Sequence, residues 1–123
     1  MANDRDIDEI LNLAIALFQK GIITDKEDER KDILKLSAKR IEEVISKQKT
    51  AEHILLKAKI FFHYGQEKKA LGFCDEAYSM DPSMKEILAT KRVIEEKMGN
   101  IVNATEAFEG YQSLEKAEKS ASK

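Results

Sequence analysis

The sequence is poor in the residues that punctuate and cross-link a chain. Among 123 residues it has one proline, one cysteine, five glycines and no tryptophan. A strand-rich domain needs turn residues roughly every 8–12 positions, and that supply is missing. The single cysteine, Cys74, excludes an internal disulfide and is compatible with a reducing compartment. No excess of one charge exists: 21 basic residues face 23 acidic ones, for a net charge of −2. The basic footprint of a nucleic-acid binder is therefore absent. Apolar runs last only a few residues, too short for a membrane span. The opening "MANDRDIDEI" is polar and acidic, unlike a secretory signal. The expectation is a cytoplasmic protein with no nucleic-acid partner and no membrane span.

What the chain does have is 42% hydrophobic and 36% charged residues, the mixture of amphipathic helices with long solvated faces. Its length suits one domain, expected over 1–118 with a polar, fraying tail at 119–123. Apolar residues at three- and four-residue spacing predict six helices. The first runs from about Asp4 to Lys20 on Ile7, Ile10, Leu11, Ala14, Leu17 and Phe18, with Gly21 as its C-terminal residue. The second starts near Thr24, where "TDKE" has capping-box spacing, and runs to Lys47 on Leu34, Ala38, Ile41 and Ile45. The third spans Ala51 to Tyr64 and stops at Gly65; the fourth spans Glu67 to Met80. Asp81 as N-cap and Pro82 at the first helical position predict a fifth helix over Ser83 to Met98, ending at Gly99. The sixth carries Ile101, Ala104, Phe108, Tyr111 and Leu114. Short links make successive helices antiparallel neighbours. The fold class is thus all-α, three helical hairpins in series.

The hairpins echo one another. The spacing from Gly65 to Gly99 recurs from Ala70 to Ala104 and from Cys74 to Phe108. "LFQKG" at 17–21 matches "FFHYG" at 61–65. A 34-residue helix–turn–helix period resembles the tetratricopeptide repeat family. Residues 51–84 carry the resemblance best, with Ala58, Phe61, Gly65, Ala70, Cys74, Ala77 and Pro82 at the family's spacing. The third hairpin keeps Gly99, Ala104 and Phe108, but Arg92 and Glu95 stand where the small and aromatic residues belong. No such hairpin buries its apolar stripe alone; stacking three makes one continuous core.

Residue types that do chemistry are scarce. His53 and His63 are well separated in the chain, and no H-E-x-x-H, C-x-x-C or His/Cys cluster exists. "DKEDER" lacks the glycine and terminal glutamate of a calcium loop. The five glycines are too scattered for a phosphate loop. His63 with Cys74 could imitate a nucleophile pair, but Cys74 falls on its helix's apolar stripe, where a thiol acts as a small hydrophobe. No enzyme activity, metal or cofactor is expected.

The resemblance implies instead a partner-binding groove, lined in that family by the first helix of each hairpin. Its positions here are Leu11, Ile15 and Phe18, then Leu55, Lys59, Phe62 and His63, then Ala89 and Val93. Asp8, Gln19, Glu52, Glu86, Glu96 and Lys97 would form the rim. An apolar strip rimmed by charge suits a peptide or amphipathic helix of another protein. Family members that clamp the acidic tails of heat-shock chaperones use basic and amide residues on the groove. The matching positions here are Leu11, Ile15, Leu56, Glu86 and Thr90, so that mode is not expected. The implied function is a non-enzymatic adaptor or scaffold. The alternatives are a homo-oligomeric structural protein, such as a homodimer, and a small secretion-type chaperone.

Overall fold

The computed structural model describes residues 4–121, with side chains from residue 6 onward. Six helices follow in order: α1 (Asp4–Ile23), α2 (Glu27–Lys47), α3 (Ala51–Tyr64), α4 (Glu67–Met80), α5 (Lys85–Lys97) and α6 (Ile101–Ala121). There is no strand among the described residues. The closest pairings are α1 with α2, α3 with α4 and α5 with α6. Looser contacts join α2 to α3 and α4 to α5, and α3 also touches α5. This is the expected series of three hairpins, each packed on the next.

Two glycines end helices in the same way. Gly65 (φ 97°) and Gly99 (φ 79°) adopt the left-handed region, where a side chain would be strained. At the first, the Gln66 amide donates to the Phe61 carbonyl at 2.9 Å and the Gly65 amide to Phe62 at 3.1 Å. At the second, Asn100 donates to Glu95 at 2.9 Å and Gly99 to Glu96 at 3.0 Å. Both are Schellman closures, which satisfy carbonyls that the helix end leaves free. The echo between the two hairpins is therefore an echo of backbone geometry.

Gly21 does something else. It lies inside α1 instead of ending it, and a Cβ there would come within 2.7 Å of Leu34 Cδ2. Its missing side chain lets α1 and α2 approach. The helix stops at Ile23, with Thr24 Oγ1 donating to the Lys20 carbonyl at 2.6 Å. Thr24 thus serves the end of α1 and not the expected capping box; α2 begins at Glu27 with no side-chain cap. A second tie between these helices is Ser37, fully buried, whose hydroxyl donates to the Ala14 carbonyl at 2.8 Å.

Two further starts and ends differ from expectation. Asp81 caps a turn, not a helix: its carboxylate accepts from the Ser83 amide at 3.1 Å and hydroxyl at 2.6 Å, and α5 begins only at Lys85. The tail is helical to Ala121, and residues 122–123 of the expected tail lie outside the described residues. Lys85 helps to hold that extension, donating to Glu118 at 2.9 Å; this hydrogen bond raises the lysine's pKa.

The main core joins α3, α4 and α5. Ile54, Leu55, Ala58, Ala70, Cys74, Ala77, Ile87 and Ile94 are buried in one cluster. Small residues at 58, 70, 74 and 77 let the helices close up, and Phe61 packs edge-on against Phe73 at 5.0 Å between ring centres. Lys57 fits this setting by laying Nζ over the Phe73 ring at 4.1 Å while pairing with Glu42 at 2.5 Å. A second cluster, Ala14, Ile41, Val44 and Ile60, joins the first hairpin to α3. On α6 the buried residues are Ala104 and Ala107, whereas Ile101 is 66% exposed and off the core. Of the other two helical glycines, Gly110 faces Leu88 Cδ1 at 2.9 Å from its would-be Cβ, while Gly72 meets nothing.

Candidate protein-interaction face

The first helices of the first two hairpins bring aromatic side chains into contact, and Lys97 of the third reaches them. On α1, Leu11, Ile15 and Phe18 are half-buried, with Leu11 and Phe18 resting on the second core cluster. Phe18 meets His63 of α3 edge-on at 5.5 Å between ring centres. His63 in turn meets Phe62 edge-on at 5.3 Å, and Lys97 of α5 lies 5.3 Å from the centre of the Phe62 ring. This run crosses all three hairpins: Phe18, His63, Phe62, Lys97. Phe62 and His63 neighbour one another because they are consecutive near the C-terminal end of α3, and the Gly65 closure fixes where that end stops.

Leu55 is different. It is 3% exposed and belongs to the main core, so it supports the face from below and offers nothing to a partner. Its neighbours in helical register, Lys59 and Phe62, remain accessible. Ala89 and Val93 are also accessible, Val93 at 53%. They line a surface cavity of about 470 Å³ with Arg92, Glu96, Phe108 and Tyr111. The structure thus groups Phe18, Phe62, His63 and Lys97, while Ala89 and Val93 join the outer surface of the third hairpin. Asp8, Gln19, Glu52, Glu86, Glu96 and Lys97 are exposed, as a rim requires.

Sequence reasoning passed over Arg30. It extends from the first turn of α2 and donates through Nη2 to the His63 carbonyl at 3.0 Å. Its Nε is enclosed and has no hydrogen-bond partner. The length of α2, about half as long again as α3, was the available signal: its N-terminal turns reach the end of α3. Burial lowers the pKa of His63, and the positive charges of Arg30, Lys97 and Lys59 lower it further. At neutral pH its imidazole is uncharged.

The other titratable candidates have structural explanations. Cys74 is enclosed among alanines, and burial pushes its thiol up to about 12, far from the thiolate a nucleophile requires. His53 is almost buried at the start of α3. Its Nδ1 stands 2.9 Å from the Gln48 carbonyl, and its amide donates to Thr50 Oγ1 at 3.1 Å. Both bonds brace the link from α2 to α3. Glu95 is 3% exposed and accepts from Asn100 Nδ2 at 3.1 Å. Among the described residues, no three histidine, cysteine or acidic side chains are grouped to hold a metal ion. No helix there is long and apolar enough to cross a membrane. The chain matches no family model and no curated protein.

Proposed function

We propose that this domain is a non-enzymatic protein-binding module of tetratricopeptide type. It receives an apolar or amphipathic segment of another protein on the face formed by α1, α3 and α5. The observation that carries this reading is the aromatic run Phe18–His63–Phe62, half-buried and continuous across two hairpins. Side chains in that state are anchored by the core on one side and still hold apolar surface to bury on the other. Rigid aromatic anchors of this kind dominate binding energy at protein interfaces, while rim charges set orientation and on-rate.

Phe62→Glu tests the reading. The third hairpin already carries Glu96 at the position equivalent to Phe62, so a helix of this frame accommodates the substitution. The variant should keep its helicity by circular dichroism and lose the partner in affinity capture. Collapse of the fold would instead make Phe62 a core residue and remove the face from consideration.

Self-association is the second reading. Leu13 and Leu36, both 47% exposed, favour it by leaving apolar surface uncovered on the first hairpin. Sedimentation across a concentration range separates the two, since a chain that stays monomeric at high concentration excludes a dimer.

A further inference from the structure

The interaction face is electrically lopsided. Asp8, Glu52 and Glu86, one from each hairpin, are exposed toward the N-terminal ends of α1, α3 and α5. Cations collect at the opposite end, around the aromatic run. Arg30 reaches the end of α3 at the His63 carbonyl. Lys97 lies over Phe62. Lys59 precedes His63 by one helical turn on the same side of α3. Among the described residues, one acid lies within ion-pair distance of these three cations: Glu67 stands 3.7 Å from Lys97. Among the described residues, neither Arg30 nor Lys59 has a carboxylate within ion-pair distance, and Arg30 Nε has no acceptor at all. The charges acting on the half-buried His63 ring are all positive.

Such an arrangement is poorly satisfied by itself. Cations beside aromatic rings and away from counter-charge are stabilised by an arriving anion, and the rings supply apolar area to the same ligand. We propose that the partner is an acidic protein segment, with carboxylates flanking aromatic or aliphatic anchors. Its anchors bury against Phe18 and Phe62, and its acidic end lies over Arg30, Lys59 and Lys97. This inference rests on the protein-binding reading above and adds the sign and place of the partner's charge. The cations stand at the turn end of the face, off the five positions where the tail-clamping residues of tetratricopeptide domains would fall. The source of specificity is charge complementarity at one end of an apolar strip.

The test uses the full chain and three short, labelled, helix-forming peptides, read by fluorescence anisotropy. The first has a leucine and phenylalanine face flanked by glutamate. The second replaces each glutamate by lysine. The third keeps the glutamates and replaces the apolar residues by serine. The first should bind, weaken with added salt, and lose about tenfold or more in affinity on the paired change Lys59→Glu and Lys97→Glu. Bound carboxylate should also raise the His63 pKa, followed through its ring proton by NMR, with His53 as the internal reference. Binding of the lysine peptide at equal or greater strength, abolished by Phe62→Glu, overturns the charge assignment and leaves the binding face standing. Equal binding of the serine peptide makes the site a general anion patch and overturns the proposal. Failure of all three peptides to bind removes the proposal and the face together.

Discussion

The second and third hairpins share a frame and differ in what they do with it. Both turn through a left-handed glycine with the same pair of closing hydrogen bonds, at Gly65 and at Gly99. The difference lies on the side each presents beyond itself. Ala58 of α3 is fully buried in the core that α5 completes. Its counterpart in α5, Arg92, is exposed, lies over the Phe108 ring at 4.3 Å and pairs with Glu96 at 2.6 Å. Phe61 packs on Phe73, whereas its counterpart Glu95 is buried against Asn100. The lesson is that one frame either continues a stack or ends it, according to a few side chains. Small and aromatic residues admit the next hairpin; in the third hairpin a guanidinium lies over the local aromatic ring instead. The same logic separates the two halves of the expected groove, because the aromatic run stops where the third hairpin turns charged.

Exchanging residues between equivalent positions breaks this comparison most severely. Ala58→Arg places the third hairpin's residue in the core of the second, where it has neither space nor counter-charge. The expected loss is about 4 kcal/mol or more, seen in chemical denaturation as a fold that barely persists; retention of normal stability would show that the core around Ala58 is loose. Next in size is the glycine that does not share the frame. Gly21→Ala should cost about 1–3 kcal/mol, because the new methyl meets Leu34 and not because of backbone strain. A double-mutant cycle would confirm the steric cause: Gly21→Ala should cost less in a chain that already carries Leu34→Ala than in the unaltered chain. No corresponding rescue exists for Gly65→Ala, where nothing lies near the would-be Cβ and the cost comes from φ.

The reverse exchange is milder. Arg92→Ala should cost about 0.5–1 kcal/mol, since it removes a cation–π contact and an exposed ion pair at the end of the stack. A loss as large as that of Ala58→Arg would mean the two positions are equally enclosed. The smallest effect follows from His63 and Lys97, which also occupy equivalent positions in their hairpins. The folded His63 pKa lies below its usual 6.5, so the unfolded chain takes up the proton first as pH falls. The stability held above about 6.5 should therefore decline below that pH, and His63→Gln should flatten the decline. A profile that rises on acidification would contradict the burial and cationic surroundings assigned to this ring.

The sequence made the architecture legible to a large extent. Apolar spacing located all six helices, and the boundaries of α3 and α4 match residue for residue. It did so because those helices are closed by local signals: Thr50, Gly65 and a tight link. It misread Gly21, Thr24 and Asp81 for a shared physical reason. Each residue type has two uses, ending a helix or serving a contact, and only the partner decides between them: Leu34 for Gly21, the Lys20 carbonyl for Thr24, Ser83 for Asp81. For the candidate face, periodicity identified which side of each helix was apolar, but depth is a tertiary property. Leu55 and Phe62 occupy neighbouring register on α3, yet α5 covers one and leaves the other partly open. Arg30 was invisible because its contact with His63 is long-range in sequence and depends on the length of α2.

The central proposal is that the surface around Phe18, His63 and Phe62 receives a partner while the outer surface of the third hairpin, where Arg92 lies over Phe108, does not. The most direct measurement is affinity capture with mass spectrometry on three folded chains, namely the unaltered protein, Phe62→Glu and Arg92→Ala. One protein held by the first and third and lost by the second is the predicted result. Capture that survives Phe62→Glu but fails with Arg92→Ala would contradict the account, placing the interaction on the end of the stack.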